Sequence, residues 1–169
     1  MNYSECRRKI RSGDLLAWSH RGLRSWHDLE IAFVRLATRS EYSHVGIAWV
    51  TGGRVFVIDA VNPAVRIHPL SSLLPCFWMA CKPMSSAAEN FALATVGQPY
   101  SKWQAIRAFF GDLKIGTDGR WQCAEHVIKC MWANGVDLAC RATPSEVVRT
   151  LHERTGNGIF PLAQEDHNA

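Results

Sequence analysis

Cys123 stands in the stretch WQCAEHVIKCMW (121–132), just after the turn-forming residues TDG (117–119). It therefore falls in the first turn of an expected helix. Backbone N–H groups there have no intrahelical acceptor, and the helix dipole is positive. Such a position favours thiolate and can hold an oxyanion during acyl transfer. A cysteine nucleophile needs a base, and the base needs an orienting group. Three alternatives stand beside a nucleophile. Cys123 could be a packing residue. It could also share one helical face with His126 and Cys130, at i, i+3 and i+7, as part of a zinc site completed by a fourth ligand. His126 itself could contact the thiol, although a base on the same helix leaves little room for a substrate, so a core or neighbouring role is expected. Cys130 and Cys140 read as packing residues. Glu125 reads as exposed, or as favourable to the helix N-terminus.

The base can be sought by register. HVGIAWV (44–50) and RVFVIDAV (54–61) flank Thr51-Gly52-Gly53, a hairpin signal. A two-residue turn at Gly52-Gly53 pairs Thr51 with Arg54, and a four-residue loop pairs Val50 with Val55. Either way the paired numbers sum to the same value, and His44 faces Val61. Asp59 then lies two residues along on the same face as His44. Diagonal neighbours of this kind are about 7–8 Å apart. An odd-length loop would put the two on opposite faces. Val45, Ile47 and Trp49 alternate with Gly46, Ala48 and Val50, so both faces are apolar and an ionisable pair stands out. Small Gly46 and Ala48 leave room beside His44 for another element or a substrate. A structural histidine with Asp59 ending a strand is the competing account. His68, on the next strand, is the second candidate to orient His44. His20, His27, His152 and His167 have no partner that the sequence identifies.

The elements that must position these groups follow from pattern. GDLLAW (13–18) reads as a strand and WHDLEIAFVRLATRS (26–40) as an amphipathic helix. AVRIHPL (64–70) and FWMACKP (77–83) read as two further strands. SSAAENFALATVG (85–97) is a helix begun on serines and stopped at Gly97, and GQPY (97–100) is a turn. Residues 102–110 suggest another helix and 111–119 a loop. The Cys123 helix runs from Gln122 to Asn134 and stops at Gly135. Thr143-Pro144-Ser145-Glu146 is a capping box that opens a last helix over 144–154. The tail after Gly156 reads as loose. Strands gather in the first half and helices flank them, which predicts an α+β fold with an antiparallel sheet.

Bulk properties narrow the function. The chain has 169 residues, 47% of them apolar, which suits one domain with a sizeable core, expected over roughly 13–155. No repeat or low-complexity segment appears. The net charge of +4 gathers partly at Arg7, Arg8, Lys9 and Arg11, too short a stripe for nucleic acid. No apolar run approaches the ~20 residues of a membrane span, so no stable membrane insertion is expected. No secretory signal is visible, which leaves a cytoplasmic location as the default and export by other means open. The six cysteines, at 6, 76, 81, 123, 130 and 140, include no CxxC pair and read as reduced, mostly buried thiols. No cofactor is expected.

GDLLAW, YSHVGIAWV, VFVIDAV, GQPYS and QCAEHV, in that order over residues 13–135, resemble the circularly permuted branch of the NlpC-like, papain-like cysteine peptidases. YiiX-like proteins are the nearest branch, and lecithin retinol acyltransferase is a more distant one. In that branch the His-bearing strand precedes the Cys-bearing helix, as in this chain. The resemblance implies a permuted papain-like fold with Cys123 as nucleophile, His44 as base and Asp59 as orienting acid. Many relatives carry Glu where Asp59, with its shorter arm, stands in this chain. Tyr100 matches the tyrosine of the family's G-x-P-Y turn, which lines the cleft. Relatives often follow it with Asp, where this chain has Ser101. Tyr42 and Gln122 are further substrate-binding candidates, although a packing role suits Tyr42 equally.

The activity expected is hydrolysis of an amide bond in a small peptide, such as a bacterial cell-wall stem peptide. An acyltransferase or thioesterase acting on lipid-like substrates is the alternative, and a peptide-binding module without catalysis is a third. A lipid enzyme would need a docking segment; Phe77-Trp78 and Phe109-Phe110 are apolar pairs that read more naturally as core. Specificity should reside in loops near 19–27, 62–76 and 111–120. Arg66, Arg107, Lys114 and Arg120 are cations that could meet a substrate carboxylate.

Overall fold

In the computed structural model, residues 1–19, 42–100 and 121–164 are described. Three expectations fall wholly outside them: the helices at 26–40 and 102–110, and the loop at 111–119. So do His20, His27, His167, Arg107, Lys114, Arg120 and Phe109-Phe110. The described chain runs α1 (Tyr3–Cys6), β1 (Leu15–Trp18), β2 (His44–Thr51), β3 (Arg54–Val61), β4 (Ala64–Pro69), a 3₁₀ turn (Leu70–Ser72), β5 (Cys76–Met79), α2 (Ser86–Ala94), α3 (Cys123–Ala133), α4 (Pro144–Thr155) and β6 (Ile159–Leu162). The strands form one antiparallel sheet in the order β4-β3-β2-β1-β5-β6. The architecture is α+β, with helices packed on that sheet.

The register of the central hairpin follows from its turn. Gly52 and Gly53 have φ of 56° and 72°, which only glycine adopts at little cost, and they close a two-residue connection whose twist matches the strands. Thr51 pairs with Arg54 and Ile47 with Ile58, so the even-length register holds. Alternation then divides the core. Val45, Ile47, Ile58 and Ala60 pack with Ala124, Val127, Ile128 and Met131 of α3. Ala48, Val55 and Val57 join a second cluster with Leu16, Trp78, Ile10 and Leu162. Burial on both faces explains why the strands lack polar alternation.

Side chains fix the helices in place. Ser85 Oγ accepts from Ala88 N–H at 3.3 Å at the start of α2. Thr143 Oγ1 accepts from Glu146 N–H at 3.4 Å at the start of α4, with Pro144 as the first helical residue. Buried Asn134, at the end of α3, donates to the carbonyls of Lys82 and Pro83 and accepts from Ser85 N–H at 2.8 Å, tying α3 to the segment between β5 and α2. Fully buried Asp14 accepts from Trp78 Nε1 at 2.8 Å and Cys81 N–H at 2.9 Å, bracing β1 against β5.

Several boundaries differ from expectation: β1 begins at Leu15 and not Gly13, and α2 ends at Ala94 and not at Gly97. The strand expected at 77–83 is only Cys76–Met79, because Cys81 N–H turns to Asp14 instead of a neighbouring strand. The stretch after Gly156 is not a loose tail. Ile159–Leu162 pairs with β5 as an edge strand, where Pro161 is tolerated because an edge leaves N–H positions unused. Beyond it, Ala163 bridges to Asn2 near the start of the chain.

Candidate active site

His44 is the first residue of β2 and Asp59 lies within β3. The register brings them together: His44 Nε2 and Asp59 Oδ2 are 2.6 Å apart. Asp59 is buried, while a quarter of the His44 side chain reaches solvent. The Cys123 side chain, at the first residue of α3, lies close enough to His44 for its charge and hydrogen bonding to act on the ring. With Nε2 directed at Asp59, Nδ1 is the ring nitrogen left for the sulfur. The imidazole thus lies between a carboxylate and a thiol. His44 pairs with Trp18 across β1 and β2, and their ring centroids are 5.4 Å apart.

The packing shows where along the sheet this meeting occurs. The residues of β2 beneath α3 are Val45 and Ile47, whereas His44 has the opposite parity and shares a face with Trp18. The three groups therefore meet at the rim of the helix–sheet interface, where the strand begins and the helix begins. The space beside His44 is not an open gap. A Cβ on Gly46 would lie 2.8 Å from Val57 Cγ1 and 3.0 Å from Asp59 Cβ, so Gly46 lets the Asp59 side chain fit against β2.

Electrostatics reinforce the arrangement. Burial alone lowers the His44 pKa. The charge of the Cys123 sulfur, hydrogen bonds to Asp59 and Cys123, and the Asp59 charge outweigh it and push the value up to about 10. The imidazolium is thus the favoured form at neutral pH. Gln122 is buried at the N-cap of α3 and its side chain makes no capping bond, so the first-turn N–H groups have no side-chain cap. Tyr100 is half-buried beside this turn; burial, then the charge of Cys123, raises its phenol pKa. Tyr42 is buried, packing edge-on against Phe77 with centroids 5.5 Å apart, and its backbone N–H donates to Ser145 Oγ.

The remaining candidates go elsewhere. His126 is wholly buried in α3, 2.8 Å from Thr95 Oγ1 of the turn after α2, and it packs between Phe91 and Trp121. Since the Thr95 hydroxyl donates to the Ala92 carbonyl at 2.7 Å, Nε2 of His126 carries the proton donated to Thr95. Burial lowers its pKa to about 4. Cys130 lies beside it, with Sγ 3.8–4.0 Å from the ring nitrogens, and burial raises that thiol to about 12. The helical face proposed for zinc does not assemble, because Cys123 turns to His44. All six cysteines are free. His68 lies opposite Val57, not at His44, so Asp59 is the carboxylate behind the ring. Glu125 is buried, not exposed, 3.6 Å from Lys129 one turn on. His152 has a partner after all, its Nδ1 lying 2.8 Å from the Asn157 carbonyl. Trp78 is buried and Phe77 half-buried against the core.

Two features escaped sequence reasoning. One is the Trp18 ring beside His44; β1 and β2 are separated by a long stretch of chain, so no turn in the sequence fixes their register. The other is Arg66, directly opposite Asp59 across β3 and β4. It stood out only as one of several cations, although the counting rule of the hairpin placed it there.

No family model and no curated protein matches the sequence. By structure, the chain is similar to the crystal structure of the metalloprotein yiiX from Escherichia coli O157:H7. The TM-score is 0.57 at 20% identity, over 92% of this chain and 98% of the other. At that identity the likeness concerns the fold. No described helix is long and apolar enough to cross a membrane.

Proposed function

We propose that the protein is a cysteine hydrolase with a Cys123–His44–Asp59 triad, built on a permuted NlpC-like papain fold. The observation that carries this is the single imidazole held between Asp59 Oδ2 and the Cys123 side chain. The likeness in fold to yiiX and the order strand-borne His, then helix-borne Cys, support it. The negative sulfur attacks a carbonyl carbon, and the carbonyl oxygen gathers charge near the N–H groups that open α3. His44, already an imidazolium, gives its proton to the leaving nitrogen as the carbon–nitrogen bond breaks. The neutral imidazole then takes a proton from water, whose oxygen attacks the thioester and releases the acid and the sulfur. Asp59 stabilises the charged ring and fixes which nitrogen faces the sulfur. Tyr100 and Gln122 border the thiol and are proposed to contact the substrate, taken to be a small peptide with an amide such as that of a cell-wall stem peptide.

The yiiX structure is described as a metalloprotein. Among the described residues of this chain, no three His, Cys, Asp or Glu side chains are grouped to hold an ion. Among the described residues no donor set is grouped for a metal, and no step is routed through one.

Iodoacetamide at pH 7 should label one thiol of the wild-type protein fast, and Cys123→Ala should lose that phase together with hydrolysis of muropeptides. Persistence of the fast phase in the variant would remove Cys123 as nucleophile. Turnover of short-chain thioesters but not peptides would move the assignment to acyl-group chemistry.

A further inference from the structure

Asp59 gives one carboxylate oxygen to His44. The other, Oδ1, is buried and has no hydrogen-bond partner. Arg66 is the direct partner of Asp59 across β3 and β4, and its Nε–H is likewise buried without an acceptor. Directly paired side chains in an antiparallel ladder stand about 4.5–5.5 Å apart at Cβ. An acceptor lacking a donor thus sits next to a donor lacking an acceptor. Buried polar groups rarely remain in that state, and a charge-assisted bond or one shared water satisfies both. We infer that Arg66 is a positioning residue for the triad: its Nε–H serves Asp59 Oδ1 across one water and holds the carboxylate so that Oδ2 stays on His44. Arg66 touches neither the sulfur nor the carbonyl under attack; it acts through Asp59.

The charge of Arg66 adds a second effect. Among the described residues, Asp59 is faced by His44 from β2, by Arg66 from β4 and by His126 from α3, which burial keeps neutral above about pH 4. His44, itself an imidazolium, and Arg66 are the two cations of this group, reaching the carboxylate from the strands on either side of β3. Once Asp59 takes up a proton, the imidazolium loses its support and the reactive sulfur goes with it.

This inference rests on the triad reading, and the pH profile of iodoacetamide alkylation separates the two. In wild type, alkylation of Cys123 should persist well into mildly acidic solution. In Arg66→Gln its acid limb should move up by about one pH unit, the low end of an opposite-charge effect on a carboxylate. Arg66→Lys keeps the charge and should restore most of that shift. Acid limbs that coincide in all three proteins overturn the role of Arg66 while leaving the nucleophile intact. A wild type without any fast thiol overturns the triad and not the contact. The contact is read separately from the Nε–H signal of arginine-labelled wild type. That signal should be protected from solvent exchange and lose protection in Asp59→Asn. Exchange at the rate of free arginine in wild type rules the contact out, even if Arg66→Gln does not fold.

Discussion

His44 is the residue on which the chemistry turns, and its environment makes a signed statement about pH. Its pKa rises from an ordinary 6.5 to about 10 in the folded chain. A base with a raised folded-state pKa contributes stability that is fully present below the unfolded value and lost as pH rises through the folded one. The contribution of the ion pair is therefore complete below about pH 6.5 and disappears between there and about pH 10. Urea midpoints measured from about pH 6 to pH 10.5 should fall across this window in wild type and fall less in His44→Gln. Parallel curves would mean the ring carries no such coupling. Activity should fail as pH rises through about 10, because a neutral His44 has no proton for the leaving nitrogen.

Elements set the distances that residues need. The hairpin of β2 and β3 fixes His44 against Asp59, and Gly46 is the point at which the strands leave no room for a side chain. Gly46→Ala should cost about 1–3 kcal/mol, as overpacking a tight site does. It should also slow turnover beyond that loss, since the displaced group is Asp59 itself; a Gly46→Ala variant with wild-type melting and turnover would show that Asp59 has slack. Much of this was legible beforehand. Two glycines at 52 and 53 suit an even-length turn, and counting from it puts Asp59 on the same face as His44, as a diagonal neighbour; the fold supplies the contact itself. Thr143 and Gly135 also mark true helix ends, whereas the helix expected to stop at Gly97 already ends at Ala94. Burial was less legible. Glu125 reads as a surface carboxylate by type, yet helix packing covers it and Lys129 approaches from the next turn. The strand at 159–162 was hidden because four residues containing a proline give no periodicity; pairing with β5, not propensity, makes it a strand.

At the scale of the whole molecule, two long-range contacts join the helices to the site. His126 binds Thr95 in the core between α2 and α3, one turn from Cys123. Its pKa is lowered to about 4 by burial, so it contributes stability present above about pH 6.5 and lost as pH falls through about 4. Thermal unfolding followed from about pH 7 down to pH 4 should show a falling midpoint that is flatter in His126→Gln; an identical slope would assign acid sensitivity to other groups. The second contact is that of Cys123 with His44, which brings together two segments far apart in the chain. The bridge between Asn2 and Ala163 bears on that separation. A connection of a few residues between these two positions would close the backbone into a ring with each described contact kept. Reopened at the exposed serines 71 and 72, between β4 and β5, the same ring would present the thiol ahead of the imidazole instead of behind it. Which group comes first is then a matter of where the ring is cut, and the site is indifferent to it.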